Sequence, residues 1–235
     1  MASADEGFWC PNGVDLIRLF LQRGMPKNKV IRHHTAFVGN ISYHLQYLEF
    51  LNHLLTEKQL HVIVRQQTQK TFVITGMSII EAILWYILRK EGMQKMEEWD
   101  EIGNFETSSF MNDTSELRII NTIVKKRDKP VEVEMSLDSM LKKVESKKLL
   151  GLDHQVYRKL NYLRKLRNRV HIHTVGFDHD TDWYSFSDKE VRLMKKVLHS
   201  VLSSELFKPE KEHKSIIEYL KVEESAEQLA ESIPS

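Results

Sequence analysis

The sequence predicts an all-α protein: an antiparallel bundle of long helices, one short β-hairpin insertion, and an extra helix at the C-terminal end. Three observations carry that expectation. Apolar residues recur at three- and four-residue intervals through most of the chain. Five Pro and nine Gly among 235 residues leave few helix breakers. One segment, 117–135, changes to the two-residue alternation and β-branched composition of a strand pair.

The elements follow in order. Residues 1–13 read as a loose leader, interrupted by Pro11 and Asn12-Gly13, with Phe8 and Trp9 available to dock. An amphipathic helix over 14–24 ends at Gly24 and Pro26. Between 34 and 56, Ile41, Leu45, Leu48, Leu51 and Leu55 form one stripe, and a second stretch continues to about Gln69. Residues 70–90 are apolar nearly all round, with Phe72, Ile79, Ile83 and Ile87 on one side and Ile80, Leu84 and Leu88 on another. That pattern places the helix in the middle of a bundle rather than across a membrane, because Thr75, Gly76, Ser78 and Glu81 interrupt it.

Residues 93–114 read as polar and irregular, anchored by Trp99, Phe105 and Phe110. Within 117–135, the turn-like residues 127–130 separate two candidate strands, and Lys125, Lys126, Arg127 and Lys129 form a basic cluster at the expected tip, either simply solvated or touching a phosphate backbone. A helix over 137–148 follows Ser136 as a candidate cap. The run Ser187-Asp188-Lys189-Glu190 is a capping-box pattern opening a helix over 188–206, with Val191, Met194, Leu198, Val201 and Leu202 inward. A weaker stripe of Ile216, Ile217, Leu220 and Leu229 marks a terminal helix over 212–230. The expected organisation is an N-terminal extension over 1–30, a main helical domain over 31–208, and a C-terminal helix and tail over 209–235.

Composition excludes some classes. Thirty-four basic and 33 acidic residues give a net charge of +1, so only local charge can direct binding. The single Cys10 rules out an intrachain disulfide and a cysteine zinc cluster, and fits a reducing, cytoplasmic setting. The first ten residues hold two acidic and no basic side chains, so a secretory leader is not expected. Neither a Gly-rich phosphate loop nor a G-x-S-x-G nucleophile motif is present.

Residues 152–173, LDHQVYRKLNYLRKLRNRVHIH, concentrate the reactive chemistry. Val156, Leu160, Leu163, Leu166 and Val170 supply an apolar face, and Asn161, Arg164, Asn168 and His171 run beside it. On a continuous helix the seven residues from Arg164 to His171 turn through about 700°, bringing the two side chains into register. His173 would point some 160° away from His171. Arg167 lies one turn before His171. Asp153 is a candidate N-cap, and segment 151–175 holds six Arg/Lys against one Asp.

RKLRNRVHIH resembles the signature of the HEPN superfamily, in which four to six residues separate an Arg from a His late in a helical bundle. Two pairs meet that spacing, Arg164 with His171 and Arg167 with His173. The commonest family form, Arg-Asn-x-x-x-His, is absent, because only Arg169 and Val170 separate Asn168 from His171. The resemblance covers about residues 35–205. It implies a metal-independent endoribonuclease acting as a homodimer on RNA, with no cofactor and no membrane, in the setting of a toxin or defence effector with an antitoxin or regulatory protein as a further partner. Arg164, Arg167, Asn168, His171 and His173 are its candidate catalytic residues, and Lys165 and Arg169 its substrate contacts. Glu81 is the candidate supporting residue, either paired to Arg164 or Arg167 or exposed to solvent near the rim of its helix.

The residue types suit that chemistry. Imidazole titrates near neutrality and moves protons. Guanidinium stays charged and grips phosphate in two places. Other readings stand beside it. The same stripe serves a non-catalytic dimeric scaffold or nucleotide-binding module, or a purely structural network in which Arg164 and Arg167 pair with Glu81 or Asp153. His171, His173 and His179 with Asp178 and Asp180 offer ligands for a metal, but no His-Glu-x-x-His motif accompanies them and no metal is expected. Trp183, Tyr184 and Phe186 either close the core between two helices or present a stacking face.

Overall fold

The computed structural model describes residues 9–112, 115–171, 178 and 181–222. Within them the chain forms eight α-helices, two 3₁₀ turns and one two-stranded antiparallel sheet. It divides into two compact units. One holds the helices, up to Glu91 and again from Leu137 onward, and the other is Gly92–Ser136. The all-α bundle with a hairpin insertion and a C-terminal helix is the fold that helical spacing predicts.

In the helical unit, α1 (Val14–Gly24) buries Ile17, Phe20 and Leu21 along one face. Its last residue must be glycine, because a Cβ on Gly24 would stand 2.3 Å from the Phe207 ring. α2 (His34–Glu57) buries Val38, Ile41, Leu45, Leu48, Leu51 and Leu55 at helical spacing. α3 (Val62–Lys90) is one uninterrupted helix of 29 residues, so the two stretches meeting near Gln69 are a single element. After it come α4 (Leu137–Ser146), α5 (His154–Arg167), α6 (Asp182–Ser185), α7 (Asp188–Leu202) and α8 (Lys214–Glu218).

α3 is the axis of the unit and packs against α2, α4, α5, α6 and α7. Phe72, Ile79, Ile80, Ile83, Leu84, Ile87 and Leu88 are all buried, which accounts for its apolar composition on every side. It has the length and hydropathy of a membrane span, but the packed neighbours already cover it. Gly76 sets the approach of α7, since a Cβ there would lie 2.7 Å from Met194 Cγ. α7 opens with the expected capping box between Ser187 and Glu190 and buries Val191, Met194, Leu198, Val201 and Leu202. It ends at Leu202 instead of 206. α8 is five residues long and follows a 3₁₀ turn at Lys211–His213; Ile216, Ile217 and Leu220 are buried, while Leu229, like Phe8, lies outside the described residues.

The second unit corrects the reading of the insertion. β1 (Lys95–Asn112) pairs antiparallel with β2 (Ser115–Val133), from Lys95↔Val133 to Asn112↔Ser115. Segment 93–114, read as irregular, is therefore mostly the first strand. The hairpin expected over 117–135 is only its second strand, and the two strands span 18 and 19 residues. Two physical causes hid this. β1 carries five acidic residues and Gly103, and its pairing is offset by bulges at Ile102 and Thr107, which break the period-two pattern. The turn signal at 127–130 makes a bulge instead of a turn: four residues of β2 face the single Glu98 between Glu97↔Val131 and Trp99↔Lys126. The acidic first strand is matched by cations on the second, with Asp100 Oδ1 2.6 Å from Arg127 Nη2 and Arg118 3.9 Å from Glu106.

Candidate functional site

Local chemistry sets α5 in place. Asp153 caps it, Oδ1 accepting from the Gln155 backbone N–H at 2.7 Å, as the sequence suggests. Tyr157, Leu160 and Leu163 are buried against the bundle, with Val156 and Leu166 half-buried at its margin. Tyr162 then ties α5 to α7. Its hydroxyl donates to Glu190 Oε1 at 3.0 Å, and burial, with the Glu190 charge behind it, pushes the phenol up to about 12. The same glutamate closes the capping box, so one carboxylate fixes both helices.

The helix ends before His171, and this corrects the geometry expected of the stripe. α5 ends at Arg167, Asn168–Val170 form a 3₁₀ turn, and His171 adopts extended backbone at φ −84°, ψ 99°. The His171 N–H donates to the Asn168 carbonyl at 3.3 Å, a tightened last turn. Asn168 favours a helix end, and the β-branched residues at 170 and 172 favour extension. The two-turn register between Arg164 and His171 is thereby lost. His171 and Val170 are exposed, the latter instead of facing the core. His173 lies outside the described residues, as do His179 and Asp180 of the metal reading.

The two guanidinium groups diverge toward different helices. Arg167 Nη2 lies 2.8 Å from Glu81 Oε2 on α3, which supplies the partner that a carboxylate on this apolar helix requires. Arg164 Nη2 lies 2.9 Å from Asp138 Oδ1 on α4, so neither Glu81 nor Asp153 is its partner. Asp138 also meets Lys142 Nζ at 2.7 Å. That ammonium, followed by Arg164, holds the Asp138 carboxyl below the usual carboxylate range. Arg164 Nε is shielded from solvent with no acceptor. Asp138 is the residue that sequence reasoning missed. Its signal was an acidic side chain in the first turn of a short helix directly preceding the basic one.

The structure thus brings Glu81, Arg167, Asp138 and Arg164 into two ion pairs along one helix, and leaves Lys165, Asn168 and His171 exposed at its end. Arg169 is half-buried. About a third of the Arg167 side chain remains accessible, and its bond to Glu81 uses one of five N–H donors, so the guanidinium retains capacity for an anion. Phe186 joins the core, whereas Trp183 and Tyr184 on α6 are exposed, so the trio does not close the core together. Lys70 Nζ, 2.7 Å from Asp182 Oδ2, fastens that short helix to α3. Among the described residues, the group with ligand spacing for a metal is Glu210, Glu212 and His213, remote in sequence from α5, and Glu210 is already paired to Arg23. No protein-family model matches the chain, and no curated protein or solved structure matches it.

Proposed function

We propose that the chain is a HEPN-type, metal-independent endoribonuclease working as a homodimer. The observation that carries the reading is the Arg167–Glu81 ion pair, which holds a part-exposed guanidinium one 3₁₀ turn before the exposed His171. An arginine braced by a carboxylate on the central helix is pre-organised to meet charge developing on phosphorus. The His171 imidazole, four residues further along the chain, takes the proton of the ribose 2′-OH. The 2′-oxygen bonds to phosphorus, the bond to the 5′-oxygen breaks, and that oxygen leaves with a proton. The products are a 2′,3′-cyclic phosphate and a 5′-hydroxyl. Two proton transfers ask for two imidazoles, and a two-fold pair of α5 ends supplies them. A toxin or defence role, with a neutralising protein partner, accompanies this reading through the family resemblance.

A second reading has its own support. Both guanidinium groups already hold carboxylates, which suits a phosphate-binding or scaffolding HEPN-like module without catalysis. The test is cleavage of a mixed RNA pool in EDTA by the wild type and His171→Ala, with analysis of product ends. The ribonuclease reading expects cyclic-phosphate ends and at least a hundredfold loss in the variant, the usual scale for a positioned acid–base group. A folded chain that leaves RNA intact supports the binding module instead, and equal cleavage by His171→Ala removes that residue from the chemistry.

A further inference from the structure

The bulge in β2 has the composition and the form of an anion site. Residues 127–130 leave the ladder opposite Glu98, and beside them is a cavity of about 260 Å³. That is below the usual size of a drug-like ligand pocket and suits a phosphate group or a single nucleotide unit. Lys125, Lys126, Arg127 and Lys129 line it with two carboxylates, Asp100 and Asp128. Asp100 is committed to Arg127, Oδ1 lying 2.6 Å from Nη2, and so orients that guanidinium. Among the described residues the three lysines pair with no carboxylate. Arg127 Nε is shielded from solvent and has no acceptor. Four cationic residues against two carboxylates leave the lining net positive, and three lysines without a carboxylate partner together with an orphaned donor are groups that can meet negative oxygens.

The neighbouring residues narrow the ligand. Trp99 is directly opposite Lys126 in the register, on the same face of the ribbon, and half of it is exposed. Trp99 is not part of the cavity lining, but an exposed indole paired across the ribbon with Lys126, which is, can take a base while the cavity takes its phosphate. We propose that the β2 bulge is a phosphodiester-binding subsite for single-stranded nucleic acid, with the lysines and Arg127 on the phosphate and Trp99 stacked on a base. The first strand is acidic, with Glu97, Glu98 and Glu101 close in sequence to Trp99, so favourable potential is confined to the bulge. Binding there is independent of the chemistry assigned to the end of α5.

Single-stranded DNA separates the two proposals, because it lacks the 2′-OH that the cleavage scheme needs. Fluorescence anisotropy of the full chain with labelled DNA and 2′-O-methyl RNA oligonucleotides reads binding without turnover. The wild type is expected to bind both, with a log–log salt slope of about −2 from three lysine contacts. The triple variant Lys125→Gln, Lys126→Gln, Lys129→Gln is expected to lose more than tenfold, and Trp99→Ala about tenfold. Arg118→Gln, on the same ribbon away from the bulge, is expected to bind as the wild type does. The inference is overturned if the triple variant binds unchanged, if Arg118→Gln loses as much, or if heparin or anionic vesicles bind as tightly with no dependence on Trp99. Cleavage that persists in the triple variant, or fails in the wild type, bears only on α5.

Discussion

Ile83 on α3 and Ile120 on β2 are the same side chain in two settings. The first is wholly buried, and the second is 63% exposed. The contrast extends to their elements. α3 touches five other helices and stands because they cover it. The ribbon of β1 and β2 stands on its own ladder, on acidic-against-basic pairing across it, and on local ion pairs such as Asp100–Arg127. Each cross-strand pair of this kind contributes only about 0.2–1 kcal/mol. The helical unit therefore has a shared core in which any loss is felt, while the hairpin spreads small contributions along its length and leaves its side chains available.

Three substitutions probe this difference. Ile83→Ala removes methyl groups from a close-packed centre and is expected to cost about 2–5 kcal/mol by urea unfolding monitored on the helical signal. A cost below 1 kcal/mol would mean that α3 is not the common core element. Asp138→Asn acts at the edge of the same unit, where the helices α4 and α5 meet through Arg164. The folded carboxyl titrates below its unfolded value because of Lys142 and Arg164. Its stabilisation is therefore complete above the unfolded carboxylate value of about 3.9 and is lost as pH falls through the lower folded value. The variant is expected to be less stable at neutral pH and to lose less further stability on acidification below pH 4, read as the denaturant midpoint against pH. A parallel pair of curves would place the acid sensitivity elsewhere. Ile120→Ala is expected to change stability by no more than about 0.5 kcal/mol. A larger loss would show that its side of the ribbon is covered in solution.

Legibility followed the same division. α1, α2 and α7 were readable because each has one buried face repeating at helical spacing, and the Ser187–Glu190 box marks its own start. Pairing of Glu81 with the motif helix was legible only in part: a carboxylate on an apolar helix calls for a cation, but the same spacing also allowed a solvent-exposed position at the helix rim, and packing decided for Arg167. The end of α5 was not legible. Val170 and His171 continue the helical spacing of Leu163 and Arg164 on paper, and nothing in periodicity reports that the backbone tightens at Asn168. β1 was missed because bulges shift its alternation, and the signal at 127–130 was real turn chemistry used to open a strand pair rather than to reverse it.

By itself, the sequence determined the elements whose cause is local: the helical stripes, the caps at Asp153 and Ser187, the β-branched second strand, and the charge types gathered in 152–173. Only the tertiary structure decided which partner each charge takes. Residues three apart share a helix face, yet Arg164 went to Asp138 on α4 and Arg167 to Glu81 on α3, because contact between elements distant in the chain is set by packing. It also decided that residues 127–130 enclose a cavity, since a bulge exists only relative to the strand it fails to match.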